Sequence, residues 1–205
     1  VVAVVSPVLG AIADFSGAKK RFLLVFTTIA CTFTALLFFV REGNVLMGMV
    51  FFILAEIGYR GAQVFYNSLL PEIAESEEIG KVSGIGWAVG SAGGVLCLFI
   101  ILPLILIFEG TFMVRLSLVI TALYFALSTL PLFLGLEELG KPHSLPEGEN
   151  YITVGFKRTW ETLRAVGQYR EFVRFVMSFL IYNDGVMMAM NFASIIGAVL
   201  FGMDQ

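Results

Sequence analysis

Long apolar runs, separated by polar turns only a few residues deep, constrain this chain more than any other feature. Residues 22–40, 45–69, 80–108, 111–135 and 172–201 are each predominantly apolar. About 20 such residues, wound as a helix, cross the roughly 30 Å of bilayer hydrocarbon. In hydrocarbon the backbone must satisfy its own polar groups, so each run is read as a helix rather than an open strand. A soluble chain would need more polar surface than 14% charged residues against 58% apolar ones provide. A mean hydropathy of +0.90 also lies outside the soluble globular range. The expected fold class is all-α, a polytopic transmembrane helical bundle.

The turn over residues 10–21 orients everything after it. Residues 1–13 are apolar but too short to span, and are read as the end of a helix. Gly10 and Gly17 permit unusual dihedrals and close backbone approach. Asp14 lies between them, and Lys19, Lys20 and Arg21 form a basic cluster. Lys81, Lys141, Lys157, Arg158, Arg164 and Arg170 fall on the same side of the bundle as that cluster, and Arg41 stands almost alone on the other. The first, third and fifth connections are therefore expected to be cytoplasmic. Glu72, Glu75, Glu77 and Glu78 do not overturn this, because acids count little in that rule. Both ends of the chain lie in or beside apolar runs, so a fragment of a longer protein is expected.

Several function classes are disfavoured. A formal net charge of -3 argues against nucleic acid, which calls for a clustered basic face. Cys31 and Cys97 both sit inside apolar runs and read as small core residues, with no disulfide framework or metal spacing. Met187, Met188 and Met190 read as adaptable packing. No cofactor and no metal site is expected.

Intramembrane charge is costly and so marks candidate functional positions. Glu56 and Arg60 stand one helical turn apart on one face, where each compensates the other. One reading is the polar wall of a substrate cavity, continued by Gln63, Tyr66 and Asn67. The other is a structural pair inside the bundle. A second candidate is Tyr182-Asn183-Asp184-Gly185. Asp184 lies about twelve residues in from Phe172, roughly 18 Å at 1.5 Å per residue, near the bilayer midplane. A carboxylate buried there carries a proton or pairs with a cation, with Asn183 and Gly185 loosening the helix. The competing reading is a helix break held by an aspartate-to-backbone bond. Arg115 is read as structural, snorkelling to the interface.

Gly80, Gly84, Gly86, Gly90 and Gly94 recur on the run 80–108, with Ser83, Ser91 and Gly93 between them. Small residues at this spacing let another helix approach closely, either as static packing or as a surface on which two bundles rock. Pro7, Pro103 and Pro131 are expected to kink their helices. Residues 136–170 are too polar to span. Their second part carries Phe156, Trp160, Leu163 and Gly167 on one helical face, beside Lys157, Arg158, Glu161, Arg164 and Gln168. This suits a helix at the membrane surface or, equally, a linker helix packed on the bundle. His143 lies in the loop before it and reads as solvated.

With these residues placed, the chain resembles the major facilitator superfamily. Gly10, Asp14, Gly17, Lys19, Lys20 and Arg21 are similar to that superfamily's signature between its second and third helices, with Phe15 and Ala18 as departures. The segments 64–72 (VFYNSLLPE), 82–90 (VSGIGWAVG) and 182–185 (YNDG) resemble the vacuole-effluxer branch, autophagy-linked vacuolar amino-acid effluxers and their bacterial relatives. The resemblance implies a twelve-helix parent of which the chain holds the second to seventh helices. Residues 1–135 would be most of the N-terminal half without its first helix, 136–170 the central cytoplasmic loop, and 171–205 the truncated first helix of the C-terminal half. Asp14 would stabilise one access state as part of a conformational-switch loop. The glycine run resembles the antiporter signature only loosely, with Ser91 where that signature has proline, and no antiport is inferred.

The expected function is secondary active transport of a small polar solute by alternating access, amino acids being the family-based choice, with protons as a candidate coupling ion. The expected partners are the lipid bilayer and that solute, in a monomeric full-length protein. The expected location is the plasma membrane if bacterial and the vacuolar membrane if fungal. A membrane scaffold or receptor without flux is the alternative. A membrane-embedded enzyme lacks the convergent nucleophile, acid-base pair or metal cluster it would need.

Overall fold

The computed structural model describes residues 9–10, 13, 17–108, 110–136, 150–166 and 169–201. Among these the chain is helical: α1 (Lys19–Leu36) with a 3-10 turn (Leu37–Phe39), α2 (Val45–Ile73), α3 (Ile79–Ile107), α4 (Thr111–Gly135), α5 (Tyr151–Val166) and α6 (Arg170–Phe201). Among the described residues five segments are long and apolar enough to cross a membrane: Lys19–Phe39, Val45–Ile73, Ile79–Ile107, Thr111–Gly135 and Arg170–Ala189. The chain divides into two units, Val1–Phe156 and Lys157–Gln205.

In the first unit α1 packs most extensively on α2 and next on α4, whereas α3 meets α4 and only brushes α2. The α1–α2 seam is built on small residues. A Cβ placed on Gly58 would stand 2.6 Å from the Ala30 amide nitrogen and 2.9 Å from the Phe26 carbonyl oxygen, and one on Gly61 would overlap the Phe26 ring. Where lipid tails are as apolar as leucine, helices associate by such close van der Waals contact rather than by escape from water. Phe65 is fully buried beside these glycines, stacked on Phe22 at 5.2 Å and Phe26 at 5.6 Å between centroids. Leu9, Ala13, Leu23, Ala62 and Leu69 complete the cluster.

Two boundaries differ from the sequence reading. α1 begins at Lys19, one turn before the expected residue 22, so the basic cluster is the helix's first turn rather than a loop. α2 continues past the expected residue 69 to Ile73, through Pro71. A proline so close to a helix end removes one ladder bond but need not stop the helix, and Ala74 N–H closes the final turn on Leu70 O. Pro103 and Pro131 likewise lie inside α3 and α4.

Tight turns join α1 to α2 and α3 to α4. Gly43, in the first, has a φ of +88°, a region that side chains rarely tolerate. At the outer end of α1 the Arg115 guanidinium makes a structural contact. Its Nη1 donates to Phe38 O at 3.4 Å and its Cζ lies 5.6 Å from the Phe38 ring centroid, tying α4 to the end of α1.

In the second unit α6 runs unbroken from Arg170 to Phe201. The helix break that was the competing reading of residues 183–185 is not made. One flexible glycine costs a helix about 1 kcal/mol, too little to interrupt so long a ladder.

Candidate functional site

The polar residues of α2 are arranged by helical period. Glu56, Arg60, Gln63 and Asn67 recur at steps of four, three and four and so form one stripe. The buried residues Ala55, Gly58, Ala62, Phe65 and Leu69 form another, turned toward α1. The polar stripe is thereby left on the open side of the seam. Glu56 and Arg60 meet there at 2.7 Å between Oε1 and Nε, with side chains 43% and 52% exposed. Glu56 lies about eleven residues into α2, roughly 17 Å along its axis and well inside a span.

A residue outside the expected set joins this stripe together. Tyr59 lies under the Arg60 guanidinium, 5.8 Å from ring centroid to Cζ, and its hydroxyl accepts a hydrogen bond from Gln63 Nε2 at 3.1 Å. Its ring also meets Phe125 of α4 edge-on at 6.4 Å. The i, i+4 spacing of Tyr59 and Gln63 was the signal available in the sequence. Tyr66 and Asn67 are exposed, and the Tyr66 hydroxyl lies 3.5 Å from where a Cβ on Gly86 of α3 would be.

The second ion pair sits at the opposite kind of place. Lys19 Nζ meets Glu72 Oε1 at 2.5 Å and also donates to Ser68 O at 3.2 Å, with the two side chains only 13% and 14% exposed. Lys20 Nζ donates to the Leu136 carbonyl at 2.5 Å, where α4 ends. Cations at a helix N-terminus oppose the macrodipole, and here Glu72 and the Leu136 carbonyl offset that cost. Among the described residues Glu72 Oε2 is buried without a hydrogen-bond partner. Glu72 falls in the extra turn of α2, and the sequence reading weighed it only as a loop acid.

Of the switch-loop residues, Gly17 adopts a φ of +56° at a bend immediately before α1. Gly10 is helical and has open space where a Cβ would be. Asp14 lies outside the described residues, as does His143. The glycines expected to pack are mostly open among the described residues. A Cβ on Gly80, Gly84, Gly90 or Gly94 would meet nothing within 4 Å. Gly93 is tied to α4, its carbonyl accepting from the Tyr124 hydroxyl at 2.9 Å.

In the second unit Tyr182 and Asp184 are exposed and Asn183 is half-buried. The described residues of that unit do not supply the burial expected of Asp184.

Apolar spanning helices, a small-residue seam and an ion pair inside a span define an integral membrane protein, an all-helical bundle forming part of a major-facilitator-type fold. The chain belongs to the family described as vacuole effluxer Atg22 like, whose profile matches residues 1–205. It is 29% identical over 193 residues to the uncharacterized MFS-type transporter YxiO of Bacillus subtilis (strain 168), an alignment covering 91% of this chain and 44% of that protein. The chain thus spans less than half the length of this relative. No solved structure matches it.

Proposed function

We infer that the whole protein is a secondary active transporter that moves a small polar solute by alternating access. The observation that carries this reading is the Glu56–Arg60 pair, held with Tyr59 and Gln63 on an open polar stripe inside a spanning helix. A charge pair in a span is costly, and it is retained where it faces a water-filled cavity or a ligand. The pair offers complementary charges to a zwitterion, the carboxylate of Glu56 to an ammonium and the guanidinium of Arg60 to a carboxylate. Amino acids are therefore the proposed solute class, in keeping with the effluxer description of the family.

In this reading residues 1–135 form most of the N-terminal half, 136–170 the central cytoplasmic loop and 171–205 the first helix of the second half. Asp184, inside α6, is the proposed proton-coupling group, and Asp14 the proposed acid of the conformational switch. The protein works as a monomer, in the plasma membrane of a bacterium or the vacuolar membrane of a fungus.

The test is flux of labelled neutral amino acids into proteoliposomes of the full-length protein, with and without an imposed proton gradient. Gradient-driven flux that is lost in Asp184→Asn supports proton coupling through Asp184. Flux that survives keeps the transporter and removes that role. No flux of any amino acid overturns the substrate class.

A further inference from the structure

The geometry points to the α5–α6 junction as a docking surface for anionic phospholipid headgroups on the cytoplasmic leaflet, independent of the solute the protein carries. Three residues separate Val166, the end of α5, from Arg170, the start of α6. Fully extended, that link reaches no more than about 14 Å. α6 is apolar and long enough to span, so the end of α5 is tethered within reach of the headgroup layer.

The side chains on both sides of the link suit that layer. Trp160 and Tyr169 are exposed, 64% and 68% respectively, and Phe172 follows at 49%. Such amphipathic and aromatic rings concentrate at membrane–water interfaces. Lys157 and Arg164 stand three residues before and four after Trp160, which places both on its side of the helix. Arg170 and Arg174 continue the basic series into α6, where Arg174 Nη1 meets Glu171 Oε1 at 2.8 Å. Against Lys157, Arg158, Arg164, Arg170 and Arg174 this stretch carries only Glu161 and Glu171. An excess of cations around exposed aromatic rings complements an anionic lipid surface and not a neutral one.

The experiment uses the full-length protein with Trp87, and any tryptophan outside this chain, replaced by phenylalanine, so that Trp160 reports alone. It is reconstituted in phosphatidylcholine vesicles with or without about 30% phosphatidylglycerol, an anionic content of the kind that attracts polybasic segments. Quenching is read from lipids brominated near the headgroup and from aqueous iodide. With anionic lipid, bromolipid quenching should rise and iodide quenching should fall. Each basic side chain near an anionic surface favours docking about five-fold. The variant K157Q/R164Q should therefore lose up to roughly 25-fold of that preference, and Arg164→Lys should keep it. Monodisperse elution of the double variant separates loss of docking from misfolding. Iodide quenching at the level of free tryptophan in both vesicles would mean a solvated helix and overturn the proposal. Protection from both quenchers would mean a helix packed on protein and overturn it equally.

Discussion

The α1–α2 seam and the helix α3 use similar residues to opposite effect. Gly58 and Gly61 on α2 are pressed against the α1 backbone and the Phe26 ring, with Phe65 fully buried beside them. On α3, Gly80, Gly84, Gly90 and Gly94 face open space, and Cys97 is its one buried residue among those described. Charge divides along the same line. Lys19–Glu72 closes one end of the seam almost out of solvent, and Glu56–Arg60 lies half-exposed on the side turned away from it. Spacing of small residues therefore marks where a helix can be approached, and only a complementary ridge such as Phe26 decides whether it is.

The largest effect should come from the seam. Gly58→Ala sets a methyl against backbone atoms that cannot swing aside, and should cost about 3 kcal/mol, the upper end of overpacking. The midpoint of thermal unfolding in micelles checks this, and an unchanged midpoint would remove the seam from the comparison. Next comes Lys19→Ala, which strands Glu72. Breaking a pair this buried should cost about 2 kcal/mol, less than a fully dry pair because both side chains keep some solvent. The double variant K19M/E72M should recover most of that loss. A double-mutant cycle with coupling below ~0.5 kcal/mol would show the pair to be incidental.

Glu56→Gln should leave stability within about 0.5 kcal/mol, as expected of a half-exposed pair. In the proposed reading it abolishes amino-acid flux. Flux and stability falling together would make the pair structural and erase its contrast with Lys19–Glu72. At α3 no loss of stability is expected. In the chain described here Gly90→Ala meets nothing, so it should be neutral or stabilise the helix by up to about 1 kcal/mol. Destabilisation of the full-length protein by the same change would show that this face is covered there. The comparison would then be between two seams and no longer between a seam and an open face.

Much of the architecture is legible in the sequence. The five apolar segments and their turns follow from run length and hydropathy, because a bilayer accepts little else than helices of that length. The intramembrane carboxylate and guanidinium were equally visible, since charge in such runs is rare. The missed features are side-chain contacts, one local to a single turn of α2 and one between residues far apart in the chain. Tyr59 reads as one more aromatic until its ring is seen under Arg60. Glu72 reads as a loop acid until α2 is seen to run one turn further, past Pro71.

By itself the sequence determined that the chain is a set of membrane helices, roughly where each begins, and which residues carry charge into the bilayer. It did so because hydropathy and helical period are local properties. Tertiary structure decided which glycines are close-packed, which lysine meets which glutamate, and which face of α2 keeps its polar stripe open. Those outcomes depend on the fit of one helix surface to another, and α1 and α2 settle them through Phe26 and Ala30 on one side and Gly58 and Gly61 on the other.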